Sequence, residues 1–390
     1  MSVLIAEKNA RGLEAALLKD GKLYAYIGAE DPSGPREGQI YAAVTDRAAK
    51  GISSVFVRLP GGQAGFLPMT FGQKCPPSGN RVLVQIKRPP VGQKKALLTR
   101  DITLAGMRLV FLPLGSGVRV SSRVQDASEK AALIEKGKAI QPRCGGIILR
   151  SAAVNAPVAQ LADELQGLEK KWQRVQSAFQ QTSDAALLQD GDGPVEKLIA
   201  QENDRLESIL TNAPESLPHD IPCPVRVCEQ PMLLHNVRAK LEKSLRRTVL
   251  LKSGATLVID PCEAMTVIDV NSAMAAGGKD IARTAEKINT EAVGEIARLL
   301  RLRGIGGMIL IDFIDMDSDE ARERLLAAMR EALLHDPVKT TVHDITPLGI
   351  MEITRHREQP PLSPLADPPC PHCGGTGVSL SVNEEETLHA

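Results

Sequence analysis

The sequence predicts an α/β protein of several domains, an α+β arrangement with a small β-barrel near its start. Three observations predict it. The chain has 390 residues, 43% hydrophobic and 24% charged, enough for two or three hydrophobic cores. Residues 36–105 break into short β-like runs separated by Gly- and Pro-rich turns, the pattern of a small barrel. From residue 249 onward, runs with a period of two alternate with runs of helical period, the pattern of an α/β domain. Aromatic residues are scarce at 3%, so Leu, Ile, Val and Ala must build the cores.

Taken in order, residues 1–35 read as two strands, SVLIAE and LEAALLKDGKLYAYIGA, around an Arg-Gly turn. The barrel runs follow: GQIYAAVTDRA, ISSVFVRLP, AGFLPM, RVLVQIKRPP and KKALLTRDITLAG. RLVFLPL and GIILRSA are further strands, with SEKAALIEKGKAI a helix between them. Residues 158–182 carry apolar side chains at 158, 161, 165, 168, 172, 175 and 179, one stripe of an amphipathic helix. DGDGPVEKLIAQ and TNAPESLPHDIPCPV read as turns and a linker, and LLHNVRAKLEKSLRR as a basic helix. TLVID and AMTVIDVN are strands, and the helix after them has its stripe at Ile281, Ala285, Ile288, Ala292, Ile296 and Leu299. GGMILIDFIDM reads as a buried strand. A helix follows it, with Ser318 as N-cap and acids in its first turn, and TTVHDIT and GIMEITRHR close the domain.

Net charge is zero, yet charge is segregated. Residues 81–150 hold 14 Lys plus Arg against four Asp plus Glu, and 225–247 is basic as well. A solvated face explains one helix; an excess over 70 residues fits a polyanionic partner better. No apolar run approaches a membrane span, and the start MSVLIAEKNARG has no secretory signal. Seven cysteines without a dense framework suggest reduced thiols and a cytoplasmic location.

The chemistry concentrates in two apolar strands. Alternation puts Asp269 and Asn271 on one face, and Asp312 stands in the next strand, with Asp315 three residues later. A lone strand aspartate more often pairs with a neighbouring Arg. Two on separate strands, with an amide beside one, point to a shared cation. Mg²⁺ takes hard oxygen ligands and commonly uses one or two carboxylates plus a substrate phosphate, so phosphodiester hydrolysis is the expected chemistry. CPHCGGTG at 370–377 has a zinc-hairpin shape but supplies only Cys370 and Cys373; a second copy of the chain completes a four-cysteine site. A redox Cys-x-x-Cys expects a helix after it, which Gly-Gly-Thr-Gly opposes. Arg150-Ser151 at a strand end suits a phosphate. Phe56 and Phe66 suit base stacking on the barrel, with Lys94 and Lys95 for phosphates, though either Phe fits a core equally well.

These pieces together resemble the ribonuclease E/G family. The matching text is LVIDPCEAMTVIDVNSA, GGMILIDFIDM, LGIMEITRHR and CPHCGGTG, with GFLP and LTRDITLAG in the barrel. The resemblance implies an RNase H-like subdomain at 1–35 and 106–220 and an OB-fold barrel inserted at 36–105. It implies a DNase I-like catalytic subdomain at 221–362 and a zinc link and tail at 363–390. It makes Asp269 and Asp312 the Mg²⁺ ligands, with Asn271 beside them in the catalytic site. It makes Cys370 and Cys373 the zinc ligands of a homodimer, and Gly106, Val110, Arg150 and Ser151 the pocket for a 5′-monophosphate. Phe56, Phe66 and Lys94 become RNA contacts. The implied activity is Mg²⁺-dependent endonucleolytic cleavage of single-stranded RNA, leaving 5′-phosphate and 3′-hydroxyl ends. The small C-terminal domain and scaffold of longer members have no counterpart here, so a zinc-linked dimer is expected. The alternative is a non-catalytic RNA-binding protein that keeps the fold; it has no need of acids beside a polyanion.

Overall fold

The computed structural model describes residues 2–28, 35–48, 54–69, 76–90, 95–122, 124–142, 144–191, 193–202, 205–218, 221, 223–272, 281–316, 318–334, 336–357 and 362. The chain divides into two compact units, Met1–Val237 and Arg238–Ala390.

The first unit holds three sheets. One has the order Val225–Val227, Ser208–Thr211, Ser2–Asn9, Gly12–Lys19, Lys22–Ile27. Its first two pairings are parallel and the others antiparallel. Leu4, Ala6, Ala15 and Leu17 pack there with Val195, Leu198 and Ile199 of the helix Pro194–Glu202. Two expectations change here. The run from 13 to 29 is two strands, not one, because Asp20 and Gly21 turn the chain with φ of 49° and 75°. A positive φ at both central residues suits a two-residue hairpin, and Asp-Gly favours it. The expected turns and linker also contain a helix and two strands. Their apolar runs are too short to show a period, and pairing with Ser2–Asn9 gives them structure. Val225–Val227 belongs to this sheet, within the unit that ends at Val237.

The second sheet closes into a five-stranded barrel, consistent with an OB-like fold. Around it run Ile40–Ala48, Ser54–Arg58, Ala64–Pro68, Ala96–Thr99 and Arg81–Arg88, which pairs back onto the first. Ala43, Val55, Val57, Leu67, Val84, Ile86 and Leu98 fill it. Alternate residues such as Phe56 and Arg58 therefore face outward. Ala186–Gln189 adds to the barrel by pairing with one end of the strand Ile40–Ala48. The third sheet has the order Gly117–Val120, Gly146–Leu149, Leu109–Leu112, Leu104–Ala105. The helices Ala127–Ala139 and Val158–Gln181 cover it, burying Leu133, Leu161, Leu165, Leu168, Trp172 and Val175 as the helical stripe requires.

In the second unit the expected basic helix breaks into Pro231–Leu234, still in the first unit, and Val237–Leu245. Asn236 sits at the break with φ of 49°, a backbone that ends helices and that Asn tolerates. A six-stranded sheet follows, ordered Thr248–Leu250, Thr256–Pro261, Met265–Asn271, Gly307–Asp312, Ile350–Arg355, Thr340–Ile345. Only Met265–Asn271 and Gly307–Asp312 run parallel, joined through the crossover helix Ile281–Arg303. Ile288, Ala292, Ile296 and Leu299 of that helix, with Leu325 and Met329 of Asp319–Leu333, pack on Ile268, Val270, Ile309, Ile311, Met351 and Ile353. Ser318 caps the Asp319–Leu333 helix, its Oγ accepting from Ala321 N at 3.2 Å. The expected buried strand GGMILIDFIDM is instead covered on one face only and ends at Asp312. Ile309 and Ile311 are covered, while Met308 and Asp312 on its other face are exposed.

Candidate active site and nucleic-acid interface

Strand alternation sends Thr266, Ile268 and Val270 into the core and puts Val267, Asp269 and Asn271 on the opposite face. The neighbouring strand does the same with Ile309 and Ile311 against Asp312. Register then makes Asp269 and Asp312 direct partners across the parallel pair. Adjacent strands lie about 4.8 Å apart, so the two carboxylates share one small volume. They stand at the carboxyl ends of the two parallel strands, where ligands of α/β sheets commonly bind.

Asn271 Nδ2 donates to Asp269 Oδ2 at 2.6 Å, which orients that carboxylate and leaves its Oδ1 for another partner. Partial burial, then the negative charges of Asp269 and Asp315, hold the Asp312 carboxyl above the usual carboxylate range. A divalent cation would relieve this crowding of charge. The donor set is hard oxygen, and among the described residues no group of three or more His, Cys, Asp or Glu forms a denser metal cluster. Two carboxylates, hard oxygen donors, suit Mg²⁺ rather than a softer metal. The sequence reading treats these acids as buried. The structure leaves Asp269 half-buried and Asp312 exposed, so a cation there would neutralise two neighbouring charges that solvent still reaches.

The residues expected at a phosphate pocket also come together. Val110 pairs with Ala105 and Ile148, and Arg150 follows Gly146–Leu149 directly. Arg150 N donates to Arg108 O at 2.8 Å, and its Nη1 donates to Gly106 O at 3.0 Å. Ser151 opens a single helical turn and is exposed. Gly106 leaves space for the Glu164 carboxylate: a Cβ there would displace that carboxylate from its bonds to the Arg108 and Leu109 amides and crowd the Leu109 carbonyl. Glu164, Arg108 and Lys136 escape sequence reasoning because each lies in a different element. Glu164 Oε1 accepts from the Arg108 and Leu109 amides at 2.8 and 3.2 Å, and its Oε2 meets Arg108 Nη1 at 3.3 Å. Lys136 Nζ donates to the carbonyls of Val154 and Ala156 at 2.7 and 2.9 Å, tying down the loop after Ser151.

On the barrel, Phe56 and Phe66 are cross-strand partners, their ring centroids 5.7 Å apart at 58°. Both are half-buried on the outer surface, not in the core. Lys95 Nζ lies 4.3 Å from the Phe56 centroid and the Arg47 guanidinium 5.8 Å from it. A stacking surface flanked by cations suits a base followed by its phosphate. Arg47 is the member the sequence does not reveal. Lys94, Cys370 and Cys373 lie outside the described residues.

Comparison with known proteins adds an independent line. The family model described as the Ribonuclease E/G family matches residues 103–358. Ribonuclease G of Salmonella typhimurium is 35% identical over 321 residues, covering 78% of this chain and 65% of that protein. Ribonuclease E of Synechocystis sp. is 33% identical over 324 residues, covering 78% of this chain and 48% of that protein. Ribonuclease E of Nostoc sp. is 31% identical over 379 residues, covering 89% and 55%. The chain thus spans 65% of the length of that ribonuclease G and about half that of the two ribonucleases E.

Proposed function

Because the chain belongs to the ribonuclease E/G family, we propose that it is a Mg²⁺-dependent endoribonuclease of single-stranded RNA that favours 5′-monophosphorylated ends. The observation that carries the reading is the Asp269–Asp312 pair, side by side across two strands with Asn271 bonded to one of them. In this reading Asp269 and Asp312 hold the ion, and Asn271 keeps the Asp269 carboxylate turned toward it. When bound, Mg²⁺ supplies charge for a phosphoryl oxygen and makes a water more acidic. In-line attack of water on phosphorus leaves a 5′-phosphate and a 3′-hydroxyl.

The barrel holds the substrate: bases stack on Phe56 and Phe66, and Lys95 and Arg47 draw the phosphates. Stacking and backbone charge read no strict code, so sequence selection is loose. Arg150 and Ser151 bind a terminal phosphate beside Gly106 and Val110. Binding energy gathered there positions the scissile bond, so a 5′-monophosphate raises the cleavage rate. In fold terms, the reading places an RNase H-like subdomain around the barrel and a DNase I-like subdomain around the two acids. No helix among the described residues is long and apolar enough to cross a membrane, and the reading puts the enzyme in the cytoplasm.

The test is cleavage of a short A/U-rich oligomer carrying either a 5′-monophosphate or a 5′-hydroxyl, with and without Mg²⁺. Faster cutting of the phosphorylated oligomer, only with Mg²⁺, is the expected result. Binding without cutting would establish the non-catalytic RNA-binding alternative, and equal rates would remove the phosphate pocket. Cys370 and Cys373 complete the proposal as half of a zinc site shared with a second copy. Cys370→Ser should halve the mass in solution and release the zinc; unchanged mass and zinc content would end the dimer reading.

A further inference from the structure

Asn289 stands on the buried face of the Ile281–Arg303 helix, beside Ile288, Ala292 and Val293, and is completely buried. An apolar side chain would fill that position without the cost of dehydrating an amide. The amide is satisfied at one place. Its Nδ2 donates to Ile314 O at 2.8 Å, and its Oδ1 accepts from Ile314 N at 3.1 Å. Both main-chain groups of Ile314 are therefore held as a neighbouring strand would hold them. Yet Ile314 has already left the sheet, whose strand ends at Asp312. The clamped residue lies between Asp312 and Asp315, and Asn289 is found bonded to neither carboxylate.

We infer that Asn289 is a positioning residue: by clamping the Ile314 main chain, it holds Asp312, two residues earlier, in the arrangement that takes up the divalent cation with Asp269. The inference rests on the metal-dependent reading above. A core asparagine with a purely structural role would change folding and leave metal affinity alone, so the readouts must separate the two.

The experiment uses Mn²⁺ as the probe, its binding to the full chain measured by electron paramagnetic resonance without RNA. Asn289→Ala removes both bonds to Ile314. Asn289→Ser removes their reach but keeps a small polar side chain, which serves if the alanine variant folds poorly. Ile288→Ala is the control: it opens a cavity next door and breaks no bond to Ile314. Groups that orient metal ligands typically change affinity by 10–100-fold, so both Asn289 variants should bind Mn²⁺ about tenfold more weakly. In the oligomer assay kcat should fall with KM unchanged, and Ile288→Ala should bind Mn²⁺ like the wild type. Wild-type affinity in the Asn289 variants, or an equal loss in Ile288→Ala, overturns the inference. A wild-type protein that binds no Mn²⁺ fails the metal-dependent reading itself, a separate outcome.

Discussion

Asp269→Asn and Asp312→Asn are each expected to lower RNA cleavage by roughly three orders of magnitude, about 4 kcal/mol in the barrier, as loss of a metal's charge stabilisation entails. The oligomer should bind as well as before, or better. Each change removes one negative charge from a site meant to face a polyanion, and none of the barrel residues is touched. Folding should not suffer either. The two carboxylates repel without a cation, and Asp312 is held above the usual carboxylate range partly by Asp269. Relieving that repulsion leaves the thermal midpoint of the apo protein unchanged or higher. Cleavage by both variants at the wild-type rate would show that the chemistry lies elsewhere in the chain. Loss of cleavage in step with loss of folded protein would show that the pair is structural.

The second large effect concerns stability. Arg355 and Asp336 are a buried ion pair, both side chains 3% exposed. Arg355 Nε and Nη2 donate to the Asp336 carboxylate at 2.7 and 2.9 Å, and Nη1 donates to Ile305 O at 2.7 Å. One guanidinium thus ties the last residue of the Ile350–Arg355 strand to the turns that follow the helices Ile281–Arg303 and Asp319–Leu333. Replacing such a pair by apolar groups is often neutral, but removing one partner strands a buried charge and costs about 3–5 kcal/mol. Arg355→Ala should therefore unfold the second unit at markedly lower urea. The double variant Arg355→Leu with Asp336→Asn should recover part of the loss. Far-ultraviolet circular dichroism reads the transition. The single tryptophan, Trp172, belongs to the first unit, so its emission reports that unit separately. A midpoint unchanged in Arg355→Ala would show that the buried pair contributes nothing.

Elements of strong, long periodicity were legible before any coordinates. The helix at 158–182 and the one ending at Arg303 show their stripes because a two-sided helix must hide one face, and that demand repeats at 3.6 residues. The strand carrying Asp269 and Asn271 was legible for the same reason at a period of two, whereas the one carrying Asp312 reads as a continuous apolar run whose half-exposed face only the structure shows. Other elements were hidden. Ser208–Thr211 and Val225–Val227 are too short to display a period, and only pairing with Ser2–Asn9 makes them strands. The break at Asn236 reflects one residue's backbone angle, which an amphipathic pattern passes over.

By itself the sequence determined which residue types can do chemistry: acids and an amide at strand spacing, an arginine at a strand end, two phenylalanines on barrel strands. These follow from local rules, the period of an element and the chemistry of a side chain. Tertiary structure alone decided how they combine. It set the register that makes Asp269 and Asp312 partners, the open face that solvent reaches beside them, and the meeting of Glu164 with Gly106. It also brought Asn289 against Ile314, 25 residues along the chain. Such pairings depend on long-range closure of the backbone, where the free energy lies in contacts between distant segments that no local pattern encodes.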